Sequence, residues 1–153
     1  MTVDRALIHD LLAEYGALLD AARYEEWLGL FAGECRYSIV PRDNHERGMP
    51  AGLIFCDSRA MLEDRIMALR EANKYNIHSD RHLIGLPRLT GGDGIAIEAP
   101  FAVFQTDQEG ASHLFATGIY RDRLTMAAGC LTIRDKLIIL DTFAVPTLLA
   151  TPL

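Results

Sequence analysis

The 153-residue sequence is poor in cysteine: Cys35, Cys56 and Cys130 are odd in number and far apart. A disulfide framework is therefore not expected, and reduced, buried thiols in a cytoplasmic protein are. Basic runs are also missing. Arg and Lys are scattered and the formal net charge is −6, so a phosphate backbone or an anionic membrane surface would repel the chain on average. Nucleic acid and membrane are thus not expected partners. The opening residues 1–5 lack the cationic segment and apolar stretch of a secretory signal. The most apolar tail, residues 137–153, is interrupted by Asp141, Pro146 and Pro152 and is too short to span a bilayer. There is no repeat, low-complexity segment or linker, so residues 1–153 read as one domain.

Chemical motifs are equally scarce. No glycine-rich loop opens a helix, and neither a nucleophile elbow nor a dinucleotide fingerprint is present. No cysteine has a histidine two or three residues away, which removes the paired motif of a Rieske cluster. The two histidines and a carboxylate of a mononuclear iron site have no recognisable spacing. His78 and His82 stand four apart around Asp80, in a loop running into a strand and without a third ligand at a fixed spacing. Hydrogen-bonding or surface histidines explain them better than a metal does. No cofactor and no metal are expected in this chain.

What is present is half hydrophobic residues in two periods. Leu7, Ile8, Leu11, Leu12, Tyr15, Leu18 and Leu19 recur at three- and four-residue steps, which predicts a helix over residues 3–20 with Asp4 in its first turn. A second helix is predicted over residues 23–31, then a strand over 35–40 stopped by Pro41 and a long polar loop over 42–56. Asp57 or Ser58 can cap a third helix, with Met61, Leu62, Arg65, Ile66 and Leu69 along one face. Near residue 81 the period becomes two. Strands are predicted over residues 82–89, 95–103, 112–126 and 131–145, with a turn at residues 91–94 and Pro100 at an edge or bulge. The last two exceed the usual strand length, so the sheet should curve or bulge. Helices followed by long antiparallel strands describe an α+β cone, with Leu11, Leu12, Tyr24, Trp27, Phe31, Ile139 and Phe143 in its core.

Such a cone can enclose a pocket. Tyr15, Tyr37, His82 and His113 are the groups that could meet there, and a Tyr15–His82 pair would suit proton abstraction beside a carbonyl or a dehydration. Each lies on a different element, so core or interface roles fit them as well.

The segment from Leu18-Leu19-Asp20 through Arg23-Tyr24-Glu25-Glu26-Trp27 to Cys35-Arg36-Tyr37 resembles the small subunits of aromatic-ring-hydroxylating dioxygenases. Asp57-Ser58-Arg59, Met61-Leu62-Glu63-Asp64-Arg65-Ile66, Arg81-His82-Leu83-Ile84, Gly118-Ile119-Tyr120-Arg121-Asp122-Arg123-Leu124 and Ile138-Ile139-Leu140-Asp141 look like that family's later elements, in the right order. Asp43-Asn44-His45, Arg47-Gly48, Ala72-Asn73, Tyr75 and the final Thr147 to Leu153 look like the branch acting on aromatic acids of the terephthalate, anthranilate and salicylate type. The resemblance implies a nuclear-transport-factor-2-like fold. It also implies a non-catalytic role beside a large subunit that carries the Rieske [2Fe-2S] cluster and mononuclear Fe(II), in an assembly of three large and three small chains. Candidate contact surfaces are residues 42–55 and 74–81, with Arg47, Arg59, Arg81 and His82 as donors to partner carboxylates. A sheet face bearing Leu114, Ala116, Ile138 and Leu140 is expected to form the contact among small subunits. The second reading is a stand-alone isomerase or dehydratase of the same fold using Tyr15 and His82. A third is a binding module with an apolar pocket.

Overall fold

A computed structural model describes residues 2–49, 52–72, 77–142, 149 and 151–153. The first helix, α1 (Arg5–Asp20), turns Ile8, Leu11, Leu12, Tyr15, Leu18 and Leu19 inward. Asp4 precedes the helix rather than joining its first turn: its extended backbone lets the carboxylate accept from the Ala6 N–H at 2.9 Å. Helix α2 (Tyr24–Leu28) is shorter than its apolar residues suggest. Gly29 closes it onto the Glu25 and Glu26 carbonyls, which frees Phe31 to begin the first strand.

That strand, β1 (Phe31–Pro41), lies beside the last strand in parallel, and the earlier start is set by this long-range pairing. The polar stretch that follows holds two elements too short for a periodic signal, α3 (Arg42–Glu46) and β2 (Ile54–Cys56). Helix α4 (Arg59–Ala72) is the expected third long element, with Leu62, Ile66 and Leu69 buried. Four helices are thus described where three were expected.

The predicted strand over residues 82–89 is two strands, β3 (Ser79–Ile84) and β4 (Arg88–Leu89), separated at Gly85-Leu86-Pro87. Both pair with β5 (Ile95–Thr106). Pro100 faces the break between them and accepts there from the Gly85 N–H at 2.8 Å. Its missing donor therefore falls at a local edge inside an otherwise paired strand. Strands β6 (Ser112–Ala127) and β7 (Cys130–Leu140) complete the sheet, ordered β2-β1-β7-β6-β5-β3 with β4 against β5. All described pairings are antiparallel except β1 with β7. Irregularities between Val103 and Phe104 and between Arg123 and Leu124 accommodate the curvature that sixteen-residue β6 requires.

The helices fill the concave face. Trp27, Tyr15, Tyr37, Tyr120, Ile133, Ile138 and Leu140 are essentially inaccessible. This decides the sheet face: Ile138, Leu140 and Ala116 point into the core, so they cannot form an outward contact surface, whereas Leu114 is half exposed. Ile139 is buried as expected, but it alternates with Ile138 and Leu140 and stands outside the core cluster. Phe143 lies outside the described residues. Gly118 sits where β6 and β7 close most tightly, since a Cβ there would lie 2.0 Å from the Ile139 carbonyl oxygen.

Candidate functional site

The alternation of β6 and β7 places Asp122 and Lys136 on the same inward face as Tyr120, Leu124, Ile138 and Leu140. The register sets the two charges opposite each other, and the Lys136 ammonium donates to Asp122 Oδ2 at 2.9 Å with both side chains fully buried. The ammonium also lies over the rings of Tyr120 and Tyr15, 3.6 and 4.0 Å from their centroids. Burial pushes the Asp122 carboxyl up and the Lys136 ammonium down, while the mutual charge opposes both shifts. Sequence reasoning missed this pair, because Leu137 to Leu140 are all apolar and leave the inward face of β7 unmarked.

Tyr15 comes from α1 and Tyr37 from β1, and the structure does bring them together. The Tyr15 hydroxyl donates to the Leu153 main-chain oxygen. Tyr37 Oη accepts from the Leu153 N–H at 2.9 Å and reaches the Leu153 oxygen at 3.3 Å. Both phenols are completely buried, and desolvation holds their pKa values well above the ordinary tyrosine value. Burial raises the Tyr24 pKa against the opposing influence of the Thr151 side chain, and Arg65 Nη2 reaches the Leu149 carbonyl at 3.4 Å. Leu153 is 2% exposed, so the chain's own residues fill the interior from above.

His82 does not join this cluster by any hydrogen bond described. Its Nδ1 is 2.6 Å from Asp20 Oδ1, and its backbone N–H donates to both Asp20 oxygens at 3.0 and 3.2 Å. The carboxylate at the end of α1 thereby pins β3 to the helix and fixes the imidazole. The Nε2 atom is buried without a hydrogen-bond partner among the described residues. His113 is exposed on β6 and does not enter the interior. Asp80 and His82 share one face of β3 because its period is two, and His78, just before the strand, has Nε2 3.3 Å from Asp80 Oδ1. Burial raises the Asp80 pKa, against the opposing influence of His78 and His82. No group of three His, Cys, Asp or Glu side chains suited to a metal exists among the described residues. A Rieske cluster or mononuclear iron therefore does not fit the donor set described here.

The other candidate residues divide in two. Arg47 and Arg81 are exposed, each in a loose ion pair, at 3.6 Å to Asp43 and 3.6 Å to Asp20 respectively. Arg59 is directed inward: Nε donates to Glu63 at 2.9 Å and Nη1 to the Phe31 carbonyl at 2.9 Å, tying α4 to β1. His82, with its side chain inaccessible, is likewise committed to the chain's own structure. Open clefts lie outside the cone interior. One of about 350 Å³ runs between α1 and β3 past His9, Asp20, Arg81 and His82. A larger one of about 760 Å³ lies on the outer sheet face among Arg36, Arg121, Arg123 and Arg134.

Known proteins share this architecture. The crystal structure of a chain from Novosphingobium aromaticivorans, assigned as the β subunit of an aromatic-ring-hydroxylating dioxygenase, is 40% identical and superposes with a TM-score of 0.88 over 97% of this chain and 96% of that one. A chain from the same organism assigned as a scytalone dehydratase, 13% identical, shares the fold with a TM-score of 0.71 over 95% of this chain and 89% of that one. The fold is accordingly of the nuclear-transport-factor-2 type. Among curated relatives, the terephthalate 1,2-dioxygenase terminal oxygenase subunit β2 of a Comamonas species is 38% identical over 143 residues, 92% of this chain and 93% of that one. The anthranilate 1,2-dioxygenase small subunit of Burkholderia cepacia is 38% identical over 148 residues, 95% of this chain and 92% of that one. The family model of the ring-hydroxylating β subunit matches residues 16–147. With the family model matching residues 16–147 and near whole-length similarity to these subunits, the chain belongs to the ring-hydroxylating dioxygenase β-subunit family.

Proposed function

We propose that this chain is the non-catalytic, assembly-forming subunit of an oxygenase that hydroxylates aromatic acids. The observation that carries the reading is the closed interior. Tyr15, the acid–base candidate on α1, has its hydroxyl bound to Leu153, and His82 is bound to Asp20. A dehydratase or isomerase would need both groups facing one substrate-sized space, whereas His82 borders the outer cleft between α1 and β3 and Tyr15 does not line it. The aromatic-acid assignment rests on the similarity to the terephthalate and anthranilate enzymes' small subunits.

In this reading the redox chemistry belongs to a large partner subunit that holds the Rieske cluster and the mononuclear iron. The small chain contributes geometry: a stiff, curved sheet that orients three large chains around three small ones, so that neighbouring metal centres meet. Arg47 and Arg81, with exposed guanidinium groups within residues 42–55 and 74–81, are the donors best placed for partner carboxylates. No helix among the described residues is long and apolar enough to cross a membrane; the free cysteines support a cytoplasmic assembly in this reading. Light scattering of the isolated chain is expected to give a trimer, and of the co-expressed pair a complex with equal numbers of both chains. A monomer that fails to co-purify with a Rieske-type large subunit would reject the reading.

A further inference from the structure

Residues 151–153, which close the cone, belong to none of the described helices and strands. The described polar ties of the chain end run from Arg65 to the Leu149 carbonyl and from Tyr15 and Tyr37 to the Leu153 main chain, and residues 151–153 are buried. The groups receiving them are, by contrast, built into helix and sheet. Two fully buried phenols converge on one oxygen atom, and the rings around them are interlocked. Trp27 lies 5.7 Å from Tyr15 and 5.8 Å from Tyr37, and Tyr120 lies 5.7 Å from Tyr15. Arg65 acts electrostatically on Tyr37, and its buried Nε has no hydrogen-bond partner among the described residues. Trp27 Nε1 and the Tyr120 hydroxyl, also buried, share that condition. A pair of convergent donors beside a guanidinium, set in an aromatic wall, is the composition of a site for an oxygen-bearing head on an apolar body. Leu153 presents that chemistry, with its main-chain oxygen as head and its isobutyl group as body.

We propose that the interior of the cone is a ligand site occupied in competition by the chain's own residues 151–153, and that with this segment withdrawn it takes a small carboxylic acid or carbonyl compound with a branched aliphatic body of leucine size. No chemistry on the ligand is implied, and the proposal goes beyond the assembly role. The tail acts as a tethered competitor at high effective concentration, so the intact chain binds such a molecule only through its small open fraction.

The test compares the intact chain with one ended after Ala150, using 4-methylpentanoate as the probe and the fluorescence of Trp27, the sole tryptophan, as the signal. The shortened chain is expected to respond saturably, with an affinity at least about tenfold above that of the intact chain, and N-acetyl-Thr-Pro-Leu is expected to compete. Adding Tyr15→Phe and Tyr37→Phe to the shortened chain is expected to weaken binding by about tenfold or more, because two hydroxyl hydrogen bonds are lost. A folded shortened chain with no saturable response would overturn the proposal, as would equal affinity in both chains or indifference to the tyrosine changes. If the shortened chain does not fold, hydrogen exchange of the intact chain decides. The Leu153 amide, donated to Tyr37, exchanges faster with added 4-methylpentanoate if the ligand displaces the tail, and an unchanged rate overturns the proposal.

Discussion

Lys136→Met removes the cation paired with Asp122 while keeping most of the side-chain volume. In the parent, the ammonium lies 2.9 Å from Asp122 Oδ2 and over two aromatic rings, and both charged groups are fully buried. The variant leaves a buried carboxylate whose second oxygen already has no hydrogen-bond partner among the described residues. Breaking such a pair from one side costs about 3–5 kcal/mol, a large part of a typical domain's stability of about 5–15 kcal/mol. The double variant Lys136→Met, Asp122→Leu leaves no uncompensated charge and is expected within about 2 kcal/mol of the parent. Acidity gives a second signature. Burial already raises the folded-state pKa of Asp122, and loss of Lys136 raises it further. A carboxyl with a raised folded pKa adds stability below its unfolded pKa and loses it as pH rises through the folded value. The deficit of Lys136→Met should therefore shrink as the solution is acidified from about pH 7 toward about pH 5. Urea unfolding followed by Trp27 fluorescence measures both effects. A loss below about 1 kcal/mol at neutral pH, or a deficit that does not change with pH, would refute the reasoning.

Trp27→Ala, at a fully buried indole against Tyr15, Phe31 and Tyr37, is expected to cost about 3–5 kcal/mol in chemical unfolding followed by circular dichroism. Gly118→Ala is expected to lower the melting temperature by several degrees, because its methyl group meets the Ile139 backbone and β6 and β7 must part. Arg59→Met is expected to destabilise the isolated chain by about 1–3 kcal/mol, since it removes donors to the Phe31 and Ala32 carbonyls, whereas Arg47→Ala is expected to change isolated-chain stability by less than about 0.5 kcal/mol.

Legibility in the sequence followed the length of each element. Helix α1, α4 and the strands after Ile95 carry enough periods for their faces to be read, and Trp27, Leu11 and Phe31 were identifiable as core. The short elements α3 and β2, each about one period long and set in a polar stretch, give no signal. The start of β1 at Phe31 depends on pairing with Ile133, a partner about a hundred residues away that no local pattern encodes. Which face of β7 turns inward also required three dimensions, because Leu137, Ile138, Ile139 and Leu140 are all apolar. The interior was legible only in part. Tyr15 and Tyr37 were recognised as groups that could meet, but their common partner, Leu153, lies more than a hundred residues away on a segment without regular structure. His82 was assigned to a pocket or a partner, and its close bond to Asp20 depends on α1 ending beside β3.

Oxygen uptake with terephthalate or anthranilate, measured for this chain alone, for a Rieske-type large subunit alone and for the co-expressed pair, tests the central claim most directly. Substrate-dependent uptake is expected from the pair, none from this chain alone, and the same dependence on the large subunit when Tyr15→Phe and His82→Gln are introduced into a folded small subunit. Substrate conversion by this chain unaided, abolished by those two changes, would contradict it.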